Sequence, residues 1–305
     1  MNYRGASPSF KKVLSYTIVF LAGIVIGMNI GPLLSLSKVH VREVTFDGPG
    51  RKELVGKVYF PPALFQKKYD GILLCHGVLP KGKDTALYVE LARQLARRGY
   101  LVMTFDFRGF GESAKVANFR VPRDLNFPAE AEAAVSFMLE KLPVREEGYT
   151  IAGHSMGANI AFAVGAQDKR VKNIITISAG NFRTYPAHLA PRHSSFTRRL
   201  ERCIGASISP DESLRIKEGA DLFQYLPLSE PKNVLVALAE CDAGNIIDYN
   251  NRFFEELNGE KDLLMIHNSN HNFGFDMNDA NELIDPLPVR HLASGIHRWL
   301  SAKHR

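Results

Sequence analysis

The chain has 305 residues, 45% apolar and 23% charged, which suits a globular protein with a sizeable core and excludes disorder, a collagen-like fibre or a polytopic membrane protein as a description of the whole. Its net charge of +6 is concentrated at one end: residues 1–42 hold Arg4, Lys11, Lys12, Lys38 and Arg42 and no acidic residue. The remaining 33 basic and 32 acidic residues nearly cancel, so no nucleic-acid footprint is expected.

Residues 1–12 read as a short basic tail. Residues 13–36 carry no charge and are mostly apolar, including Ile18, Val19, Phe20, Leu21, Ile24, Val25 and Ile26. A spanning helix needs about 20 such residues, so a transmembrane anchor is predicted over 13–36. The basic tail predicts a cytoplasmic N-terminus and an extracytoplasmic body, although Lys38 and Arg42 weaken the asymmetry. The competing reading is a cleaved signal peptide with Ser35-Leu36-Ser37 near the cut, which would make the body a secreted protein. Gly23, Gly27 and Gly31 recur every four residues, a ridge on which two such helices could pair as a homodimer. Glycine is also simply frequent in membrane helices.

Beyond the anchor, short apolar runs bounded by turn residues predict strands at 39–46, 53–60, 71–76, 100–105, 149–154, 172–179, 233–240 and 262–267. Between them, Leu87, Leu91 and Leu95 repeat with helical spacing before a Gly99 stop. Ala131, Val135, Met138 and Leu142 do the same, and a final helix is expected over about 288–302. Such alternation predicts an α/β sheet. Residues 181–231 interrupt it with no strand of their own, and so many residues in a compact domain imply a lid or a set of helices.

The sharpest signal is Gly153-His154-Ser155-Met156-Gly157, between the apolar Tyr149-Thr150-Ile151-Ala152 and a small-residue helix. Gly-x-Ser-x-Gly at a strand-to-helix turn is a nucleophile elbow: the turn is too tight for side chains beside the serine, whose hydroxyl is pushed out above the sheet.

With this elbow, the chain resembles the α/β-hydrolase superfamily, in its serine esterase, acylglycerol lipase and serine aminopeptidase-like branch. His76-Gly77, Asp106-Phe107-Arg108-Gly109-Phe110-Gly111-Glu112-Ser113, Asp242 and His271 match the family's further stretches. The resemblance covers about residues 40–303, within a hydrolase domain bounded at 39–303. It implies the α/β-hydrolase fold: a mostly parallel eight-stranded sheet flanked by helices, with a helical cap at about 181–231 after strand 6.

A serine hydroxyl needs a general base, and that base needs an orienting group. Ser155, Asp242 and His271 occur in the family's order, each after a strand. They are assigned as nucleophile, orienting acid and general base. Asp248 and His267 are rivals. Asp248 is expected in the following helix and His267 at a buried strand end, while His291 and His297 fall on the final helix. The oxyanion donors are expected to be the backbone N–H of Met156 and, by resemblance, of Val78. His76 is expected to support its turn rather than to react.

Three other features point elsewhere. Gly109-x-Gly111-x-x-Ala114 fits a dinucleotide fingerprint variant, but it does not open the fold and reads better as loop structure. His267 and His271 are four apart like a zinc pair, which converges only in a helix. Cys75, Cys203 and Cys241 are an odd number, and the implied strand order separates Cys75 from Cys241 by about 14 Å, too far for a disulfide. Cys75 and Cys241 are expected in the core.

No metal or organic cofactor is implied. The expected activity is a membrane-anchored serine hydrolase cleaving carboxylic esters, lipid-like or small acyl, through an acyl-serine intermediate. Thioesters and peptides remain open, the latter by analogy with the aminopeptidase-like branch, whose caps often carry acids. Here the cap offers Glu201, Asp211, Glu212, Glu218 and Asp221. A catalytically silent scaffold used for binding is the reading from another class. A dehalogenase would need a carboxylate where Ser155 stands. The cap arginines between 183 and 202 read as a solvated face, or as contacts to anionic lipid headgroups.

Overall fold

The predicted apolar runs all form strands, and the order in which they pair sets where chemistry can occur. The computed structural model describes residues 38–62, 68–115, 125–182 and 195–303. Its strands are β1 (His40–Asp47), β2 (Glu53–Phe60), β3 (Gly71–Cys75), β4 (Leu101–Phe105), β5 (Thr150–His154), β6 (Asn173–Ile177), β7 (Asn233–Ala239) and β8 (Glu260–Ile266). They make one eight-stranded sheet in the order β1-β2-β4-β3-β5-β6-β7-β8. β1 and β2 pair antiparallel, as do β2 and β4, and the rest pair parallel. β3, β4, β5 and β6 are buried along their whole length, as strands covered on both faces must be.

The helices are α1 (Ala86–Ala96), α2 (Phe127–Lys141), α3 (Met156–Gln167), α4 (Ser195–Ile204), α5 (Pro210–Glu218), α6 (Gly244–Glu256) and α7 (Pro286–Lys303). Leu87, Leu91 and Leu95 of α1 and Leu292 and Ile296 of α7 share one buried apolar cluster. Val135 of α2, Ile160 of α3 and Phe253 of α6 belong to the cluster on the opposite side. The sheet is therefore a middle layer between two cores.

Boundaries fall within two residues of expectation, and the shifts have causes. β6 stops at Ile177 because Ser178 takes φ 43° and leaves the ladder. Between β6 and β7 stand α4, α5 and a 3-10 turn at Leu222–Tyr225, so the interruption over 181–231 carries helices where it is described. Leu200, Ile204 and Ile216 turn its apolar face onto the core beside α3 and α6. Among the described residues, no helix is long and apolar enough to cross a membrane. The expected anchor at 13–36, the tail at 1–12 and the Gly23, Gly27, Gly31 ridge lie outside the described residues.

Cys75 and Cys241 stand on strand ends separated by β5 and β6, and both are free thiols. Cys75 is buried, as expected. Cys241 is exposed, which corrects the expectation for it: β7 has ended two residues earlier and the chain has risen off the sheet.

Candidate active site

The chain passes from β3 to β4 on one side and returns to β5 on the other. The crevice at the carboxyl ends of β3 and β5 is thus a topological switch point, where such sheets bind ligands. Ser155 stands there, between β5 and α3, with φ 55° and ψ −122°. This backbone conformation costs a non-glycine residue about 1–3 kcal/mol and persists only where neighbours enforce it. They do. Ser155 N–H donates to the Ile177 carbonyl at 3.0 Å, and its own carbonyl accepts the N–H groups of Ala158 at 3.0 Å and Gly180 at 3.2 Å. The flanking glycines are steric necessities. A Cβ on Gly153 would lie 2.0 Å from the Gly157 carbonyl oxygen, and one on Gly157 would lie 2.2 Å from that of Cys75.

Asp242 and His271 come from the turns after β7 and β8. His271 Nδ1 stands 2.8 Å from Asp242 Oδ2, with the Asp242 side chain 1% exposed and that of His271 12%. Burial pushes the Asp242 carboxyl up. The hydrogen bond and charge of His271, with help from Ala243 N–H and Ser178, outweigh burial and hold it below its ordinary value. The two turns are laced together: Cys241 N–H donates to the Ser269 carbonyl at 2.8 Å and Asn268 N–H to Glu240 at 2.8 Å. Asn270 shapes the His271 loop, its Oδ1 accepting N–H from Asn272 and Gly274 and its Nδ2 donating to the Phe275 carbonyl.

Ser155, Asp242 and His271 line one cleft of about 340 Å³, together with Val78 and Met156. Among the described residues no hydrogen bond joins Ser155 to His271, and none engages the backbone N–H of Val78 or Met156. Gly77 brings the turn that carries Val78 against Ser155: a Cβ there would meet Ser155 Cβ at 3.0 Å.

The rivals stand elsewhere. Asp248 is exposed on α6. For His267 the expectation of a buried strand end is corrected. Its side chain is 74% exposed and pairs with Glu240 at 3.2 Å, because β8 lies at the sheet edge and has already ended. His291 and His297 lie on α7, His297 beside Tyr100.

Sequence reasoning misses a buried relay behind the cleft. Gly77 N–H donates to Tyr88 Oη at 2.7 Å, and Tyr88 Oη lies 3.0 Å from His154 Nδ1. His154 Nε2 lies 2.9 Å from the His271 carbonyl. A carbonyl only accepts, so Nε2 carries the proton, Nδ1 accepts, and Tyr88 O–H donates to it. Burial and the neighbouring His271 push His154 down to about 3, which agrees with this neutral tautomer. The helical spacing of Tyr88 with Leu91 and Leu95 marks it for the core and gives no sign of the relay.

Comparison with known proteins follows this geometry. The family model described as serine aminopeptidase, S33, matches residues 67–215. An α/β hydrolase, GrgF, from Penicillium sp. sh18 superposes with a TM-score of 0.64 at 17% identity, over 86% of this chain and 98% of that one. A hyperthermophilic esterase from the archaeon Pyrobaculum calidifontis gives 0.63 at 18% identity, over 99% of both chains. The chain shares the fold of these α/β-hydrolase and esterase structures, and the family model covers a little under half of it. An uncharacterized 31.7 kDa protein of the traX-finO intergenic region of Escherichia coli is 33% identical over 110 residues, 36% of this chain. The match spans only 37% of that relative's length.

The Asp106–Ser113 stretch is loop architecture, as its sequence predicts. Asp106 is fully buried; Oδ1 accepts Lys83 N–H at 2.7 Å, and Oδ2 accepts Glu112 N–H at 2.9 Å and the Lys83 ammonium at 3.0 Å. Gly111, with φ 44°, wraps the carboxylate so closely that a Cβ would sit 2.1 Å from Oδ2. Ser113 Oγ donates to the Asp106 carbonyl and accepts Val55 N–H, while Arg108 pairs with buried Glu130 at 3.2 Å. His76 is buried; Nδ1 donates to the Gly77 carbonyl and Nε2 accepts Phe107 N–H, so it supports the turn.

Among the described residues, no cluster of His, Cys, Asp and Glu has the arrangement of a metal site. The cleft adjoins two further hollows. One of about 230 Å³ shares Met156 and Phe182 with it, and a shallow, open groove of about 710 Å³ shares Ser195 and Arg199.

Proposed function

We propose that the protein is a serine hydrolase that cleaves carboxylic esters through an acyl-Ser155 intermediate, attached to a membrane by residues 13–36. The observation that carries the chemistry is the 2.8 Å contact between His271 and Asp242, in a cleft that also holds a serine in an enforced positive-φ turn. Ser155 Oγ attacks the acyl carbon while His271 Nε2 takes its proton. Asp242 holds the imidazole tautomer and stabilises the imidazolium. The negative charge formed on the carbonyl oxygen is received by the N–H groups of Val78 and Met156. His271 then returns the proton to the departing alkoxide. A water molecule repeats the sequence on the acyl enzyme, releasing the acid and restoring Ser155. Each proton is returned, so the cycle consumes only ester and water.

The acyl group has a natural place in the smaller hollow beside Met156, lined by Leu125, Phe127 and Ile160. At about 230 Å³ it is smaller than typical pockets of roughly 300–1,000 Å³, which favours short and medium chains.

The family model's description supports an aminopeptidase-like reading as well. A substrate ammonium would need a carboxylate. Of the cap acids, Glu201 accepts the Ile208 N–H, Glu212 closes a capping box with Ser209, and Asp221 accepts the Tyr249 hydroxyl. Among the described residues lining the cleft, the sole carboxylate is Asp242 and the sole full cation is Arg199. This arrangement favours the ester reading.

The deciding experiment labels the wild type and Ser155→Ala with a fluorophosphonate probe and profiles both on p-nitrophenyl esters of increasing chain length. Labelling and turnover that disappear in Ser155→Ala, with an optimum at short or medium chains, are expected. A folded wild type that neither labels nor turns over would favour the silent scaffold.

A further inference from the structure

The cleft that holds Ser155 shares lining residues with two further hollows, and these differ in charge. On one side, past Met156 and Phe182, the smaller hollow is lined mainly by apolar side chains. Among the described residues its one cation is Arg215, which donates to the Leu125 carbonyl at 3.2 Å. On the other side, past Ser195 and Arg199, the cleft opens into the broad groove, which is lined by Arg198, Arg199, Arg202 and Glu201. All three arginines are exposed on α4, and among the described residues none lies within ion-pair distance of a carboxylate. Among the described residues Glu201 is the groove's one acid, and its Oε1 is occupied by Ile208 N–H at 2.9 Å and Ser207 at 3.5 Å. Arg202 Nε donates to the Arg198 carbonyl at 3.4 Å.

Building on the reading of Ser155 as nucleophile, we propose that the substrate is an acyl ester or thioester whose leaving group bears an anionic group of the phosphate class, held by Arg199 with Arg198 and Arg202. The direction follows from the shape. The smaller, apolar hollow suits an acyl chain that leaves water. The open groove lets the leaving group depart, and its net positive charge draws an anion toward Ser155. Arginine's planar fork offers paired donors that match phosphate geometry, and Arg199 is the one of the three that reaches the cleft itself.

The test compares matched pairs that differ in the charge of the leaving group: 1-octanoylglycerol against 1-octanoylglycerol 3-phosphate, and S-octanoyl-N-acetylcysteamine against octanoyl-coenzyme A. Wild type, Arg199→Ala and Arg199→Glu are measured at low and high salt, with fluorophosphonate labelling of each protein. The phosphate-bearing partner of at least one pair is expected to show a kcat/KM about tenfold higher at low salt, where the charge of the three arginines is least screened. That ratio should shrink at high salt and collapse in Arg199→Glu. Preference within the first pair alone identifies a glycerophosphate lipid, and within the second alone a nucleotide-bearing thioester. Ratios near one in the wild type, or ratios unchanged by Arg199→Glu, overturn the proposal while normal labelling leaves the serine-hydrolase reading standing. Absence of labelling in the wild type overturns both.

Discussion

Tyr88 Oη lies 3.0 Å from His154 Nδ1, and through this contact the turn at Gly77 is tied to the loop that carries His271. Tyr88→Phe keeps the ring and its packing but leaves Gly77 N–H and His154 Nδ1 without partners. With Val78 as the proposed oxyanion donor and His271 as the proposed base, both should then be less well fixed, in the transition state more than in the bound substrate. A fall in kcat of about tenfold with KM nearly unchanged is expected, alongside about 1–3 kcal/mol of lost stability. Steady-state kinetics on a p-nitrophenyl ester and a thermal melt read the two effects. Unchanged kcat with a lowered Tm would reduce the relay to packing.

Asp242→Asn should hold the imidazole in the wrong tautomer and lower kcat by about 10⁴-fold, the cost measured when the equivalent acid of a serine triad is amidated. Asp248→Asn and His267→Ala touch exposed side chains away from the cleft and should leave kcat within about twofold. Parallel rate measurements on the three variants make the comparison. A large loss in Asp248→Asn with a mild one in Asp242→Asn would reverse the assignment.

His154 makes stability depend on pH. Its folded value is lowered from 6.5 to about 3 by burial and by His271, so between those values the unfolded chain binds a proton that the folded chain refuses. Stability therefore falls as pH drops below about 6.5 and ceases to fall from this cause near 3. Between about pH 6.5 and 5 the loss is on the order of 2 kcal/mol. His76 is also lowered by burial and acts in the same direction. Melting curves across this range should be less steep in His154→Gln than in the wild type. Equal slopes would mean that His154 is not held neutral.

Lys83 is wholly buried and its ammonium touches Asp84 at 2.8 Å, Asp106 at 3.0 Å and Glu112 at 2.5 Å. Burial alone would lower its pKa, but the three carboxylates outweigh burial and raise it. Lys83→Met strands the buried Asp106 charge behind the Gly77 turn. The expected cost is about 3 kcal/mol, or roughly 10 °C in Tm. Differential scanning calorimetry checks it, and a shift under about 2 °C would show that Asp106 is neutralised in another way.

Much of this molecule is legible in its residues. The strands show as apolar runs bounded by turn residues, because β3 to β6 are buried on both faces and leave no room for polar alternation. The elbow is legible because Gly153 and Gly157 are sterically obligatory and lie in one short segment with the serine they flank. His267 and Cys241 depart from expectation for one reason: each lies just past a strand end, where the next turn, and not the strand's periodicity, decides whether a side chain faces the core or water.

By itself the sequence determined the strand-and-helix succession, the elbow and the order of Ser155, Asp242 and His271, since local periodicity and local sterics govern all of these. Only the tertiary structure decided that His271 meets Asp242, that Tyr88 and His154 join two loops behind the cleft, and that Arg199 lines both the Ser155 cleft and a cationic groove. Those relationships join residues from 29 to 117 positions apart in the chain, or cavities bounded by several elements. No local propensity encodes such distances; they are fixed by the order in which the strands pair and by the close packing of the layers upon them.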